Sequence, residues 1–282
     1  MNPPCDICLE RKCLAPGGPG TCKCDSCDKK DMCPRRLKPT IRITTKCTQK
    51  CAHCCFECDP RKNDHMTPAM AGDVAKFVVA NEISRLNVMG GEFFCNPDWE
   101  DVLNTLASTV GPVAMRLVSN GDWAGGSKLR RRVIDFLKSH DSIYLALSYD
   151  KWHTNKHVDK AKEACDKAEV PYVVATKERS ESPPIPVGRH SLAMDSVFGM
   201  FSCYCHAPDR MYEFLIDEGG LISKCPFGIW TYDKVGNYLN GGFRSRFKQF
   251  HGAFRDMFVP SCHRCSMSWE SVREEMVREA KE

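Results

Sequence analysis

Short apolar runs alternate with amphipathic helical patterns from Thr40 to Thr176, and this alternation restricts the fold more than any other feature of the sequence. Strands and helices that alternate at this length form parallel sheets with right-handed crossovers. The chain is therefore expected to be α/β, a partial (β/α)6 TIM-like barrel with its reacting groups at the carboxyl ends of the strands. The predicted strands are Ile41–Thr45, Leu86–Met89, Val113–Val118, Ser142–Ser148 and Tyr172–Thr176, and the predicted helices are Pro68–Ala80, Trp99–Val110, Lys128–Ser139 and Asp159–Ala168.

The barrel pattern is flanked by two different segments, so we predict three parts. Residues 1–39 are rich in cysteine, proline, glycine and charge, and they lack the apolar periodicity of a core, so metal would have to order them. Residues 40–200 hold the barrel pattern. Residues 201–282 are expected to form a small module that contains a hairpin of Met211–Ile216 with Leu221–Lys224 and a closing amphipathic helix, Ser268–Lys281.

Cysteine is used far above its ordinary frequency, at 19 of 282 residues. The count is odd, many cysteines form C-x2-C pairs, and residues 1–12 contain no apolar signal segment. A secreted disulfide scaffold would carry such a leader, so metal ligation in a reducing cytoplasm is the better interpretation. No apolar run approaches the ~18 residues that cross a bilayer, so we expect a soluble protein without a membrane partner.

Three cysteines follow the first predicted strand with the spacing C-x3-C-x2-C: Cys47, Cys51 and Cys54. Three thiolates on one loop can hold three corners of a cubane 4Fe–4S cluster and leave the fourth iron without a protein ligand. The same spacing could form a buried helical stripe, but the intervening threonines, lysines and glutamine favour a loop. A zinc site is the other alternative, with Cys55 or Cys58 as its fourth ligand.

The cysteine spacing resembles the signature of the radical S-adenosylmethionine (radical SAM) superfamily. That resemblance implies an open iron that binds the amino and carboxylate groups of the cofactor's methionyl end. About 40 residues later, Gly90-Gly91-Glu92-Phe93 resembles the family's GGEP motif, with Phe93 in place of proline. The resemblance implies that this backbone binds the methionyl amino group. Taken alone, the glycines would indicate an ordinary strand-to-helix turn.

The ends of the next predicted strands carry further polar residues that resemble cofactor contacts of the family. Ser119-Asn120 is similar to a turn near the ribose and the methionyl carboxylate, although an ordinary Asn-Gly turn explains it equally well. Ser148 and Asp150 resemble a ribose-contacting pair. Candidate proton acceptors at the mouth of the barrel are His153, Asp150 and, by resemblance to a Gly-Arg turn, Arg189.

Cysteines beyond the barrel pattern predict additional metal centres. Cys205, Gly220 and Cys225 fit C-x14-G-x4-C, and the pair Cys262 and Cys265 follows, which resembles the twitch or SPASM modules that bind an auxiliary 4Fe–4S cluster. Cys203 could replace Cys205, and a structural zinc is the alternative metal. In residues 1–39, the cysteines that echo part of a SPASM motif indicate a third iron–sulfur or zinc centre: Cys24, Cys27 and Cys33.

These resemblances together imply an enzyme that cleaves S-adenosylmethionine reductively and abstracts hydrogen from a small-molecule, sugar or nucleotide substrate, in a dehydrogenation or a rearrangement. An external one-electron donor of the flavodoxin or ferredoxin type would supply the electron. Basic clusters such as Lys128–Arg132 keep a base in nucleic acid open as an alternative substrate. Peptide maturation and a non-catalytic zinc or iron–sulfur protein are the remaining alternatives.

Overall fold

The computed structural model describes residues 37–51, 54–83, 85–110, 115–149, 153, 157–175, 212–223 and 231–243. Several predictions lie outside these ranges and are neither confirmed nor contradicted by the fold. They concern the N-terminal cysteines, the C-terminal helix and the following candidate site residues: Asp150, Arg189, Cys205, Cys225, Cys262 and Cys265.

One sheet of eight strands runs through the described part of the chain, in the order β5-β4-β3-β2-β1-β6-β7-β8. Strands β1 to β6 are parallel, whereas β7 and β8 run antiparallel to their neighbours. The sheet has the parallel core and sequential strand order that the sequence predicts. The strands are β1 Leu37–Arg42, β2 Leu86–Met89, β3 Met115–Ser119, β4 Ile143–Ser148, β5 Tyr172–Ala175, β6 Tyr212–Ile216, β7 Leu221–Ser223 and β8 Thr231–Lys234.

Within the described ranges, four α-helices connect the strands from β1 to β5, and they agree with the predicted helices to within about three residues. They are α1 Pro68–Ala80, α2 Trp99–Ala107, α3 Ser127–Lys138 and α4 Val158–Ala168. Helix α1 begins where the sequence indicates, because the Thr67 hydroxyl accepts a hydrogen bond from the Met70 amide and Pro68 occupies the first turn. Single-turn 3-10 helices lie at Phe93–Cys95, Asp122–Gly125 and Val235–Tyr238.

Strand β1 corrects the prediction, since it begins at Leu37 and ends at Arg42 instead of spanning Ile41–Thr45. The sequence pattern did not predict the early start, because Pro39 has no backbone N–H to donate and proline is disfavoured in the interior of a sheet. In the structure β1 pairs with β2 only from Thr40 onward, so Pro39 has a strand neighbour on the β6 side alone. Past Ile43 the chain leaves the ladder, and the Thr45 hydroxyl donates to the Asp64 carboxylate.

The predicted hairpin is confirmed as β6 and β7, joined across residues 217–220, but it belongs to the main sheet. Strand β6 pairs with β1 over five residues, so the predicted boundaries at residues 39 and 200 do not separate different sheets. An aromatic cluster fixes the hairpin to α1: Phe77 contacts Phe214 and Phe243 edge-on, with ring centroids 6.3 and 5.0 Å apart. This places the turn after β6 at the same edge as the loop after β1.

Candidate metal centre and cofactor site

The three-cysteine loop leaves β1 at the carboxyl edge of the sheet. Cys47 and Cys51 are buried and Cys54 is half-buried, and all three are thiols rather than half-cystines. The loop closes on itself where the Cys47 amide donates to the Asp59 carbonyl at 3.3 Å and the Asp59 amide donates to the Thr45 carbonyl at 3.3 Å. The segment therefore holds its thiols in a defined loop and not on a helical stripe.

The Gly90-Gly91 pair packs directly against this loop. The Gly91 amide donates to the Thr44 carbonyl at 2.8 Å, and the Glu92 amide donates to the Lys46 carbonyl at 2.9 Å. A Cβ at Gly91 would stand 2.0 Å from the Lys46 oxygen, so no other residue fits there. The glycines thus allow the close approach that the sequence predicts, and their described contact is with the cysteine loop.

Glu92 is fully buried and joins the end of β2 to the end of β3. Its carboxylate accepts from the Ser119 hydroxyl at 2.8 Å and from the Asn120 amide at 2.6 Å. Burial raises the pKa of this carboxyl to about 8, although both hydrogen bonds act to lower it. The predicted role of Glu92 in cofactor binding therefore rests on its backbone, because the side chain is occupied within the protein.

Asn120 connects β3 to the cysteine loop. Its side-chain amide donates to the Cys47 sulfur at 3.7 Å and to the Thr48 hydroxyl at 3.0 Å. Hydrogen bonds to cluster sulfurs are one of the factors that set the potential of an iron–sulfur centre. Asn120 is thus placed to act on the sulfur of the first predicted ligand.

Asp122 is a site residue that the sequence patterns do not reveal. Its carboxylate accepts from Thr48 at 2.7 Å and from the buried Gln49 amide at 2.9 Å. Gln49 in turn accepts from the Cys51 thiol at 3.4 Å. The signal that could have identified Asp122 is Gly121, whose φ of +79° turns the chain back toward the loop.

The donor chemistry at the loop fits a cluster bound by thiolates. Burial raises the pKa of the Cys47 thiol, so a thiolate there needs a cation to offset its desolvation. N–H groups face two of the sulfurs: Asn120 donates to Cys47, and the Cys58 amide donates to Cys54 at 3.3 Å. No group of three such side chains in the described ranges could hold a single metal ion, whereas a cubane places each cysteine on a different iron.

Cys58 is the thiol that decides between the open and the closed alternatives. It is buried beside Cys54, and its hydrogen bond with that thiol, together with burial, raises its pKa. A closed coordination sphere would recruit Cys58 as a fourth ligand, whereas an open cluster would leave it outside. Substitution of Cys58, and of Cys55 as the other candidate for a fourth ligand, therefore separates the two alternatives.

Two further predicted site residues, Ser148 and His153, lie in the described ranges. Ser148 lies at the end of β4, beside Ala175 of β5, and His153 is half-buried in the loop that follows. Hydrogen bonds join four of the seven predicted cofactor-binding residues to the cysteine loop or to one another: Gly91, Glu92, Ser119 and Asn120. Gly90 packs closely against Thr44.

The β6–β7 turn reaches the same site through Arg42. The Arg42 guanidinium donates to Glu218 at 2.7 and 3.3 Å, and its carbon lies 5.6 Å from the Phe56 ring centroid in the cysteine segment. Gly220 has the positive φ of +77° that the turn requires, and a Cβ there would clash with Met70. Gly220, which the sequence predicts to lie in a hairpin, therefore does lie in the β6–β7 turn.

Known proteins share this sequence region and this fold. Residues 41–168 match the family model described as Radical SAM superfamily. The fold is similar to the crystal structure of BtrN in complex with AdoMet and 2-DOIA, with a TM-score of 0.53 and 12% identity over 76% of this chain and 85% of that chain. For native anSMEcpe with bound AdoMet and Cp18Cys peptide, the TM-score is 0.46 and the identity 13%, over 72% of this chain and 78% of that chain.

Streptococcus suis SuiB bound to S-adenosylmethionine gives a TM-score of 0.37 at 12% identity, over 72% of this chain and 65% of that chain. No curated protein sequence matches the chain. The fold and the loop define an α/β domain with a metal centre at the carboxyl edge of its sheet. Within this chain, residues 41–168 carry the match to a radical SAM domain.

This domain match supports the coarser predictions from the sequence. A radical SAM domain implies an enzyme, S-adenosylmethionine, a 4Fe–4S cluster and an electron donor. In the part of the chain that the structure describes, every helix is too short or too polar to cross a membrane.

Proposed function

We propose that this enzyme cleaves S-adenosylmethionine reductively to a 5′-deoxyadenosyl radical, which abstracts hydrogen from a small polar substrate in a dehydrogenation or a rearrangement. The observation that carries the proposal is the three-thiol loop, which Gly91 and Asn120 hold in place from two neighbouring strand ends. Catalytic metal sites keep one open position, and three ligands on a cubane leave one.

Cys47, Cys51 and Cys54 would hold the cluster, which supplies one electron to the sulfonium of the bound cofactor. The backbone of Gly90 and Gly91 would receive the methionyl amino group, and Ser119, Asn120, Ser148 and Asp150 would contact the rest of the cofactor. Candidate proton acceptors remain His153, Asp150 and Arg189. The buried surroundings of Cys47 and Glu92 support a site from which water is excluded.

The accessory centres form a second part of the proposal. An auxiliary 4Fe–4S cluster on Cys205, Cys225, Cys262 and Cys265 would accept an electron from the substrate radical or shape the pocket, with Cys203 as the alternative to Cys205. The described Gly220 turn supports this, because it brings β6 and β7 together between the two flanking cysteines. Cys24, Cys27 and Cys33 would hold a third centre, of iron–sulfur or zinc. The electron donor would be a flavodoxin or a ferredoxin, in the cytoplasm.

Contacts on α3 favour a small-molecule substrate over nucleic acid. Three arginines of its basic run already have partners in the protein. Arg130 donates to the Ala124 carbonyl at 3.2 Å, while the other two pair with carboxylates: Arg131 with Asp135 at 3.8 Å and Arg132 with Glu100 at 2.8 Å. Paired arginines offer less to a phosphate backbone than unpaired ones.

An anaerobic assay with matched cysteine variants tests the proposal. The reconstituted protein, with dithionite and S-adenosylmethionine, should release 5′-deoxyadenosine and contain about eight irons for two clusters or about twelve for three. The triple variant Cys47→Ala, Cys51→Ala, Cys54→Ala should lose about four irons and all cleavage. Cys55→Ala and Cys58→Ala should each keep both. Cleavage by the triple variant, or loss of the cluster in either single variant, would contradict an open three-cysteine site.

A further inference from the structure

The four described helices all lie on one face of the sheet, and none of them covers the opposite, inner face. Strands β1 to β5 lie in sequence order, so right-handed crossovers place all their helices on one side. Residues that point to the helices are almost completely buried, as Val88 and Leu117 show at 0% exposure. Their neighbours along the strands point to the opposite face and are half-buried, among them Asn87 and Arg116.

Three polar residues stand side by side on this inner face. Asn87 of β2 is in register with Arg116 of β3, and Arg116 is in register with Tyr144 of β4. Adjacent strands are about 4.8 Å apart, so these side chains line one row across the sheet. A row of an amide, a guanidinium and a phenol is costly in a half-buried position unless each group finds a hydrogen-bond partner.

The protein does not supply these partners among its described residues. The Asn87 side-chain oxygen is buried and accepts no hydrogen bond. Within the same ranges, Arg116 has no ion pair, although Arg42 on the same face is neutralised by Glu218 at 2.7 Å. The contrast between the two arginines is informative, because half-buried guanidinium groups are normally paired with carboxylates.

We propose that Arg116, Asn87 and Tyr144 bind the polar end of the substrate, an inference that rests on the proposed function. The guanidinium fork and the phenol hydroxyl would donate to an oxyanion, a carboxylate or a phosphate. The Asn87 oxygen accepts, so it requires a hydroxyl or amino group next to that oxyanion. The substrate class is thus a small hydroxy or amino acid, or a phosphate ester that carries a neighbouring hydroxyl.

The row lies within the sheet, below the edge that carries the proposed metal centre. Arg116 of β3 precedes Asn120, the first residue after that strand, by four residues, which is about 13 Å along the sheet. Asn120 contacts the Cys47 sulfur, so the row lies below the carboxyl edge where the cofactor would be cleaved. A substrate held by its anionic end would extend toward that edge and present a carbon to the radical.

Thermal unfolding of the anaerobic, full-length protein with three added anions tests the site. The probes are inorganic phosphate, glycolate and chloride at equal ionic strength, and a ligand that binds only the folded state raises the melting temperature. We expect phosphate or glycolate to stabilise the protein beyond chloride, and the effective probe identifies the group that is recognised. No stabilisation by either probe would overturn the proposal.

Two variants and a matched control locate the effect. Arg116→Gln should lower the affinity of the protein for the effective anion at least tenfold. Arg131→Gln, which removes a surface arginine of α3, should leave that affinity unchanged. If Arg116→Gln does not fold by circular dichroism, Tyr144→Phe decides, with an expected loss of about tenfold. Equal binding by wild type and the folded variant would contradict the assignment. The titration contains neither reductant nor S-adenosylmethionine, so its outcome is independent of the cleavage assay.

Discussion

At the scale of single residues, the site is held together by side chains that each serve two partners. Glu92 accepts the Asn120 backbone amide, and the Asn120 side chain donates to Cys47. The sequence identifies both residues through family motifs, but it does not predict these contacts. They join residues 28 and 73 positions apart in the chain, and only the strand order brings them together.

Asn120→Ala should lower the reduction potential of the cluster on Cys47. The substitution removes an N–H donor to the sulfur, and such donors favour the reduced, more negative cluster. We expect a shift of the order of 50 mV, close to a tenfold change in a one-electron equilibrium. A redox titration followed by electron paramagnetic resonance measures it, with the exposed Asn104→Ala as control. An unchanged potential at full iron content would contradict a role for this hydrogen bond.

Glu92 should make stability depend on pH in an unusual direction. Its pKa in the folded protein, about 8, is higher than the ordinary value of 4.5, so the folded chain binds this proton more tightly than the unfolded chain does. The stabilisation is complete below pH ~4.5 and is lost as the pH rises toward ~8. Glu92→Gln cannot ionise, so its free energy of unfolding should fall less steeply over that range.

Denaturant unfolding of the anaerobic protein at several pH values between 5 and 8 measures the difference. Glu100→Gln, at a partly exposed glutamate on α2, is the matched control and should keep the wild-type slope. Parallel pH profiles for wild type and Glu92→Gln would show that Glu92 has an ordinary pKa in the folded protein.

At the scale of elements, local patterns predicted most helices and strands, and distant pairing decided the rest. Helix α1 carries its own cap in Thr67 and Pro68, so its start was predictable. The first three residues of β1 were not, since Leu37–Pro39 pairs only with β6, about 175 residues later. The same pairing moved the hairpin from a separate module into the main sheet.

The contact between the Gly91 backbone and the cysteine loop should be lost if Gly91 gains a methyl group. Gly91→Ala would place a Cβ 2.0 Å from the Lys46 carbonyl oxygen, and the cysteine loop would have to move. We expect a loss of about 1–3 kcal/mol in the free energy of unfolding and a lower iron content.

Gly72→Ala is the matched control for this prediction. Gly72 lies within α1 and has open space around its Cα, so alanine should stabilise the protein by about 0.5–1 kcal/mol. Denaturant unfolding and iron analysis compare the two variants. Normal iron content and stability in Gly91→Ala would show that the close contact is dispensable.

At the scale of the whole molecule, the described residues build one sheet, with the proposed metal loop at its carboxyl edge and a polar row on its inner face. The fold class was predictable, because short stretches of sequence show the alternation of strands and helices, and the three cysteine ligands stay a prediction from their spacing. The row of Asn87, Arg116 and Tyr144 was not, since it exists only through the register of three strands. The central claim about the molecule is that one iron at the Cys47 loop has no protein ligand.

Electron–nuclear double resonance tests that claim most directly. The reduced, anaerobic protein is mixed with S-adenosylmethionine labelled with 15N at the methionyl amino group, and the coupling of that nitrogen to the cluster is measured. We predict a strong coupling, as for a nitrogen bonded to iron, that is absent in the triple cysteine variant. A bound cofactor without such coupling would mean that the protein itself completes the coordination of the cluster.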